Sequence, residues 1–130
     1  MIVSIGIDII EVYRIRETIE RTPRFVERVF TADERAYCEK KGMAAAQSYA
    51  ARFAAKEACL KALKTGWSGK IAWHDIEVQS DGSGVPSLLI RNEARKFLEI
   101  LGANRVHLSM SHTTDHAIAQ VVFEKVGGEQ

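Results

Sequence analysis

Residues 44–64 read AAAQSYAARFAAKEACLKALK, and this run predicts the longest element of the chain. It is rich in Ala, Leu, Lys and Glu, which are good helix formers. Alanine occurs almost all round the predicted helix, so its apolar stripe is poorly defined. Glu57 lies on or beside that stripe, about 40° from Phe53 and about 60° from Leu60 around the axis. The run therefore predicts one long helix with a carboxylate beside its apolar positions.

Residues 2–9, IVSIGIDI, predict a strand at the start of the chain. The odd-numbered positions are all β-branched and apolar, whereas Ser4, Gly6 and Asp8 are small or polar. Because successive side chains of a strand point to opposite faces, these two sets are expected on opposite faces of a sheet.

The other elements are predicted from capping residues, turn residues and apolar spacing. Helices are expected over 11–21, from Thr22-Pro23, from the capping box at 31–34 to Gly42, and from Asn92 to Gly102, and strands over 71–79, from Pro86, over 106–112 and over 117–123, with a hairpin turn at 113–116. Helices grouped between strands predict an α+β fold with a mainly antiparallel sheet. We expect a single domain over residues 1–126 and a frayed tail over 127–130.

Composition excludes several classes of protein. The 130 residues carry 18 Lys and Arg against 17 Asp and Glu, a net charge of +1, whereas a general nucleic-acid binder needs an excess of basic residues. No apolar run approaches the roughly 20 residues that span a bilayer, so no membrane association is expected. The start of the chain lacks the charged region of a secretory signal, and Cys38 and Cys59 make no disulfide framework. A cytoplasmic location is therefore expected.

Two carboxylates break the local pattern. Asp8 stands between Ile7 and Ile9, where it either faces water at a strand end or caps the next helix, or else ligates a metal ion. Glu57 and Lys61 are one helical turn apart, a spacing typical of a surface ion pair. The alternative is that Glu57 holds a cation while Lys61 faces phosphate oxygens, since Mg²⁺ is usually held by carboxylates, waters and substrate phosphates.

Two further clusters each have a structural and a functional interpretation. Ser109, Ser111 and His112 are expected on one face of a strand, either as a solvated surface or as the polar wall of a pocket. Arginines crowd residues 14–28, where acidic residues nearly cancel their charge. They form either a solvated helix surface or a docking surface for an acidic partner.

Four motifs, in order along the chain, together resemble a known family. They are Ile5-Gly6-Ile7-Asp8, the helix segment Arg52-Phe-Ala-Ala-Lys-Glu57-Ala-x-x-Lys61-Ala-Leu63, Gly84-x-Pro86 and Ser109-x-Ser111-His112-Thr113. This pattern is similar to that of the holo-acyl-carrier-protein synthases, the short single-domain group of 4′-phosphopantetheinyl transferases. The resemblance covers essentially the whole chain. This sequence has Leu60 and Val85 where members of the family often have polar residues, which leaves the fine shape of the pocket open.

The resemblance implies a small α+β fold with a curved sheet and a long helix. It implies transfer of the 4′-phosphopantetheine arm of coenzyme A to a serine of apo acyl carrier protein, a step that serves fatty acid biosynthesis. The other product would be adenosine 3′,5′-bisphosphate. It further implies Mg²⁺ held by Asp8 and Glu57, and a homotrimer whose sites lie between subunits.

The remaining roles are expectations that combine the resemblance with phosphate chemistry. Lys61 would contact the transferred or leaving phosphate, and the serine proton would pass to Glu57 or to a metal-bound water. Residues expected at coenzyme A are Arg52, Lys64, Gly84, Pro86, Ser109, Ser111 and His112. Residues expected at the acidic carrier protein are Arg14, Arg21 and Arg24. A coenzyme-A-binding module without turnover and a metal-dependent phosphohydrolase are the alternative functions.

Overall fold

The computed structural model describes residues 1–64 and 70–127. The strands are β1 (Ile2–Glu11), β2 (Ile76–Ser80), β3 (Pro86–Ile90), β4 (Arg105–His112) and β5 (His116–Glu124), and the helices are α1 (Val12–Arg21), α2 (Phe25–Val29), α3 (Ala32–Glu39), α4 (Ala45–Leu63) and α5 (Asn92–Leu101). All described strand pairs are antiparallel. The α+β class with one long helix is thereby confirmed, although the strands pair in two sheets, ordered β1-β5-β4 and β2-β3.

Helix α4 is the centre of the molecule. Its alanines at positions 54, 55, 58 and 62 are fully buried, and their small side chains allow neighbouring elements to approach the helix backbone closely. The closest approach is at Gly6 of β1, where an added Cβ would lie 1.9 Å from the carbonyl oxygen of Ala58. Ser4, two residues earlier, donates a hydrogen bond of 2.5 Å to the carbonyl of Ala62. Only glycine at position 6 lets β1 lie at this depth against α4.

On β1 of the three-stranded sheet, small residues are buried and large apolar residues are exposed. Ser4 and Gly6 face α4, whereas Ile5, Ile7 and Ile9 face outward and are 51–61% exposed. The predicted separation of the two sets is confirmed. The apolar set is the one that the folded chain leaves uncovered, because close packing on α4 requires small residues.

A buried ionic network fixes the two-stranded sheet to α3 and α4. The Lys56 ammonium, fully buried, bonds to Glu34 at 2.9 Å and to the carbonyls of Trp73 and Ile76. Glu34 also accepts a 2.6 Å hydrogen bond from the amide of Val78 on β2. Burial lowers the pKa of Lys56, and the carboxylate of Glu34 opposes this shift. The network keeps β2 in a fixed position beside α4.

Most predicted boundaries are confirmed, including the capping box at Thr31 and the end of α5 at Gly102. Helix α2 begins at Phe25 rather than at Pro23, because Thr22 and Pro23 form the turn that ends α1. Residue Asn92 does not cap α5. Arg91 holds the cap position, and Asn92 has a φ of 53° with its side chain bonded to Asp75.

The start of β2 differs from the sequence expectation, and most of the expected tail lies outside the described residues. Strand β2 begins at Ile76 instead of residue 71, since residues 73–75 form a 3₁₀ turn. Of the expected tail, residues 128–130 lie outside the described residues. No described helix has both the length and the hydropathy needed to cross a bilayer.

Candidate active site

Strand β1 and helix α4 bring together the three charged residues singled out from the sequence. The Lys61 ammonium lies 3.0 Å from Asp8 Oδ1 and also donates a 2.9 Å hydrogen bond to the carbonyl of Ile7. Glu57 lies one turn earlier on the same side of α4, close enough to both groups for their charges to act on it. Asp8 is therefore neither isolated at a strand end nor a helix cap.

The environment of Glu57 favours binding of a cation. Burial raises the pKa of Glu57, the Asp8 carboxylate raises it further, and Lys61 opposes the shift. Two carboxylates with one ammonium have a net negative charge that a divalent ion would neutralise. Among the described residues there is no cluster of three or more His, Cys, Asp or Glu. Two carboxylates with open positions suit Mg²⁺, which is usually completed by waters and substrate phosphates.

A second site is a pocket of about 370 Å³ between α3, α4, the β2–β3 turn and the end of β4. It contains four of the residues expected at coenzyme A, namely Arg52, Gly84, Pro86 and His112. Its other lining residues are Tyr37, Lys41, Ala44, Ser48, Ala51, Ser80 and Met110. The pocket therefore has two cations, Lys41 just after α3 and Arg52 of α4, and the His112 ring of β4 around a partly apolar floor.

Arg52 is the most buried charged group of this pocket, with 3% of its surface exposed. Its guanidinium donates to the hydroxyls of Ser48 at 3.3 Å and Ser80 at 3.0 Å. Its Nε has no hydrogen-bond partner among the described atoms. The guanidinium plane also lies over the ring of Tyr37, 3.9 Å from the ring centre. A buried cation with unused donors is a ready binding group for an anion.

The turn between β2 and β3 is held by Asp81. One carboxylate oxygen accepts hydrogen bonds from the Ser83 amide at 2.8 Å, the Ser83 hydroxyl at 2.6 Å and the Val85 amide at 3.1 Å. These bonds lower the pKa of Asp81, with those from Ser83 first. Gly84 has a φ of 87°, which favours glycine, and Pro86 starts β3. The turn thereby presents backbone without a bulky side chain at the pocket.

Three other expected residues are not brought to this pocket. Lys64 is exposed at the far end of α4, twelve residues after Arg52 and so roughly 18 Å along the axis. Ser109 and Ser111 pair across β5 with Gln120 and Ile118, in register with Ile7 and Ile9, and so lie on the outward face. His112 follows the inward register of Met110. The expectation that both serines and His112 share one face was wrong, because side chains alternate along β4.

The carboxylates and the pocket lie on different sides of α4 in one chain. Glu57 and Arg52 are five residues apart, which separates them by about 140° around the helix axis. Asp8 is on edge strand β1, whereas Met110 and His112 are on the opposite edge strand β4. A substrate that reaches both sites would have to connect two different surfaces of the subunit.

The arginines expected at the carrier protein lie together on an exposed surface at α1 and the α1–α2 turn. Arg14, Arg21 and Arg24 are all exposed, and Arg14 is paired with Glu11 at 2.7 Å. Beside Arg14 is a groove of about 330 Å³, lined by Ile9, Ile10, Glu11, Arg14, Ile15, Thr18, Phe25 and Phe53. Phe53 lies one helical turn before Glu57 on α4, so this groove lies beside the carboxylate site.

Sequence reasoning missed several residues of the pocket, above all Tyr37 and Lys41 of the α3 region. Ser48 could have been found, because it lies one turn before Arg52 on the same helix and therefore within reach of it. Nothing local marks Tyr37, since its position at the pocket depends on how α3 packs against α4.

The chain is similar to known proteins over most of its length. Residues 4–121 match the family described as the 4′-phosphopantetheinyl transferase superfamily. A holo-[acyl-carrier-protein] synthase of Koribacter versatilis is 45% identical over 125 residues, 95% of this chain and 99% of that protein. A Bacillus anthracis holo-(acyl-carrier-protein) synthase, solved in complex with CoA (3′,5′-ADP), is 42% identical, with a TM-score of 0.79 over 96% of this chain and 98% of that one. The Helicobacter pylori holo-[acyl-carrier-protein] synthase, in complex with coenzyme A, is 30% identical, with a TM-score of 0.80 over 92% and 99%.

Proposed function

Because this chain belongs to the 4′-phosphopantetheinyl transferase superfamily and, within it, to the holo-[acyl-carrier-protein] synthases, we propose that it transfers 4′-phosphopantetheine from coenzyme A to a serine of apo acyl carrier protein in a Mg²⁺-dependent reaction. Adenosine 3′,5′-bisphosphate is the second product. The observation that carries this proposal is the meeting of Asp8, Glu57 and Lys61, which come from positions about fifty residues apart in the chain.

The reaction breaks the bond between the two phosphates of the coenzyme A diphosphate. The phosphate that carries pantetheine is joined to the serine oxygen, and the other phosphate leaves as part of adenosine 3′,5′-bisphosphate. Mg²⁺ held by Asp8 and Glu57 would neutralise charge on the diphosphate when it is bound. The Lys61 ammonium contacts a phosphate oxygen and stabilises the charge that grows on the leaving bisphosphate. The serine proton passes to Glu57 or to a metal-bound water, both of which would lie beside the attacking hydroxyl.

The bisphosphate end of coenzyme A binds in the pocket of Arg52 and His112. Arginine fits phosphate as a two-pronged donor, and the Gly84–Pro86 backbone lies beside the adenine. Since the pocket and the carboxylates are on different sides of α4, we place the complete site between two subunits. Asp8 and Glu57 then come from one subunit and Arg52 from its neighbour. Lys64, Ser109 and Ser111, which lie outside the pocket of their own chain, would contact coenzyme A across this boundary.

The outward face of the three-stranded sheet supports assembly into a homotrimer. Ile5, Ile7 and Ile9 are each more than half exposed, and Ile118 on β5 continues the same surface. A contiguous apolar surface of this kind is typical of an interface between proteins. Ser109 and Ser111 lie at its border, so assembly would place them near a neighbouring chain.

Subunit complementation tests the shared site. Variants Asp8→Asn and Arg52→Gln are each expected to be inactive alone. Co-expressed in equal amounts, they should regain about a quarter of wild-type activity, because that fraction of boundaries joins an intact Asp8 to an intact Arg52. The matched control is co-expression of Asp8→Asn with Glu57→Gln, which damage the same half-site and should recover nothing. Absence of recovery in the first mixture would show that each site lies within one chain.

The exposed arginines at α1 form the docking surface for the carrier protein. Their positive charge steers an acidic partner, and the groove lined by Ile15 and Phe25 accepts its apolar side chains. The groove contains Phe53, one helical turn before Glu57, so a serine presented there would reach the carboxylates. We also propose that the domain spans residues 1–126 and acts in fatty acid biosynthesis in the cytoplasm, where the buried thiols of Cys38 and Cys59 stay reduced.

Mass spectrometry tests the reaction itself. With coenzyme A, Mg²⁺ and apo carrier protein, the carrier should gain about 340 Da, the mass of one phosphopantetheine group. Asp8→Asn and Glu57→Gln should abolish the gain, whereas Glu93→Gln, which changes a carboxylate paired with Lys96 on α5, should not. Coenzyme A binding without a mass gain would instead indicate a binding module. Phosphate release without a carrier would indicate a phosphohydrolase.

A further inference from the structure

Tyr37 carries two cations on one aromatic ring. The guanidinium carbon of Arg52 lies 3.9 Å from the ring centre, and the ammonium of Lys41 lies 4.7 Å from it. Tyr37 is half-buried near the end of α3 and lines the same pocket as both cations. No sequence motif and none of the roles proposed above involves this residue.

Holding Arg52 and Lys41 close together is energetically unfavourable unless an anion binds between them. Within residues 1–64 and 70–127, no carboxylate lies within ion-pair distance of Arg52. A buried charge without a partner is unfavourable, and a second cation beside it adds repulsion. The electron-rich face of the ring offsets part of this cost and keeps the guanidinium in one orientation. A dianion between Arg52 and Lys41 would remove the rest.

We infer that Tyr37 is a positioning residue that sets the preference of this pocket for coenzyme A over donors lacking the 3′-phosphate. The inference rests on the proposed function, because it places the bisphosphate end of coenzyme A in this pocket. Arg52 and Lys41 bind the 3′-phosphate, which is a phosphomonoester and carries close to two negative charges at neutral pH. Tyr37 does not touch the reacting atoms and acts by holding the two cations.

The titration of Tyr37 agrees with this placement. Burial would raise the pKa of the phenol, but its interactions with Lys41 and Ser80 and the charge of Arg52 outweigh burial and lower the pKa. The surroundings of the ring are therefore electropositive. Such surroundings attract a phosphate dianion for the same reason that they stabilise a phenolate.

The test compares coenzyme A with 3′-dephospho-coenzyme A as donors. Tyr37→Leu removes the ring, and we expect the KM for coenzyme A to rise about tenfold, equivalent to ~1.4 kcal/mol. The KM for dephospho-coenzyme A, the kcat and the KM for the carrier protein should each change by less than about twofold, because Tyr37 acts only through the two cations that bind the 3′-phosphate. Tyr37→Phe keeps the ring and should stay within about twofold of wild type for both donors.

An equal rise in KM for both donors, a loss confined to kcat, or unchanged KM values in Tyr37→Leu would overturn the inference. If leucine prevents folding, as shown by thermal unfolding, Tyr37→Gln replaces it with the same expectations. Calorimetric titration with adenosine 3′,5′-bisphosphate and adenosine 5′-monophosphate separates this test from the proposed function. A loss of affinity confined to the bisphosphate supports the role of Tyr37 even if no transfer occurs. An equal loss of affinity for both ligands refutes it.

Discussion

Gly6→Ala tests whether the close approach of β1 to α4 creates the carboxylate site. The added methyl would lie 1.9 Å from the Ala58 carbonyl oxygen and 2.8 Å from the Ala62 amide, whereas ordinary contact begins at 3.4 Å. Both atoms are helix backbone and cannot rotate away. The strand must therefore retreat by about 1.5 Å, the difference between 1.9 and 3.4 Å.

This retreat is expected to reduce both stability and activity. Overpacking of this kind costs about 3 kcal/mol, and the Ser4 hydrogen bond to Ala62 is stretched as well. For a chain of this length that lowers the Tm by roughly 10 °C. Asp8 is two residues beyond the glycine and would move away from Lys61, which now lies 3.0 Å from it. A displacement of about 1 Å at a reacting group lowers the rate on the order of 100-fold.

The assay measures kcat/KM for transfer to apo carrier protein, together with thermal unfolding and calorimetric binding of adenosine 3′,5′-bisphosphate. Binding should change by less than about threefold, because the Arg52 pocket lies on the other side of α4. Gly82→Ala is the matched control, since nothing lies within 4 Å of the added methyl. Wild-type activity and an unchanged Tm in Gly6→Ala would refute the claim that this contact sets the position of Asp8.

Three other predictions test the docking surface, the candidate active site and the buried contacts of Glu77 on β2. Arg14→Glu should raise the KM for carrier protein about tenfold at low salt and much less at high salt, while the KM for coenzyme A stays unchanged. Arg95→Glu is the matched control and should leave both KM values unchanged. Equal effects of the two variants would contradict the docking surface. Lys61→Met should lower kcat on the order of 100-fold with little change in KM for coenzyme A; an unchanged kcat would exclude the phosphate contact. Glu77 accepts hydrogen bonds from Thr31 at 2.5 Å and from Arg91 at 2.6 Å, one on each carboxylate oxygen. Glu77→Gln keeps one acceptor oxygen and loses the negative charge, and it should lower the free energy of unfolding by about 2–3 kcal/mol at pH 7.

The pH dependence of that last variant follows from the direction of the pKa shift. Burial would raise the pKa of Glu77, but its bonds to Thr31 and Arg91 outweigh burial and hold the pKa below 4.5. A lowered pKa contributes stability above the unfolded value, and this contribution is lost as the pH falls through the folded value. The difference in free energy of unfolding between wild type and Glu77→Gln, measured by urea unfolding, should therefore shrink progressively as the pH falls below 4.5. A difference in free energy of unfolding that grows as the pH falls would contradict the lowered pKa of Glu77.

Much of the fold was predictable because its signals are local. The alanine-rich helix, the capping box at Thr31 and the glycine at 102 each act through neighbours in the chain, and each is confirmed. Asn92 was misassigned because its conformation depends on Asp75, which is distant in sequence. The two candidate metal ligands could be identified because a carboxylate in an apolar strand and another beside a helix stripe are both conspicuous.

The sequence by itself determined which residue types are present and the period at which they recur. From these came the α+β class, the family resemblance and the identities of Asp8, Glu57 and Arg52 as candidate functional residues. Only the tertiary structure decided which face of β1 packs on α4, that Ser109 and Ser111 face away from the pocket, and that Tyr37 lies under Arg52. Periodicity places side chains on opposite faces without saying which face is covered. That choice depends on how closely two backbones can approach, which here is set by Gly6 against Ala58.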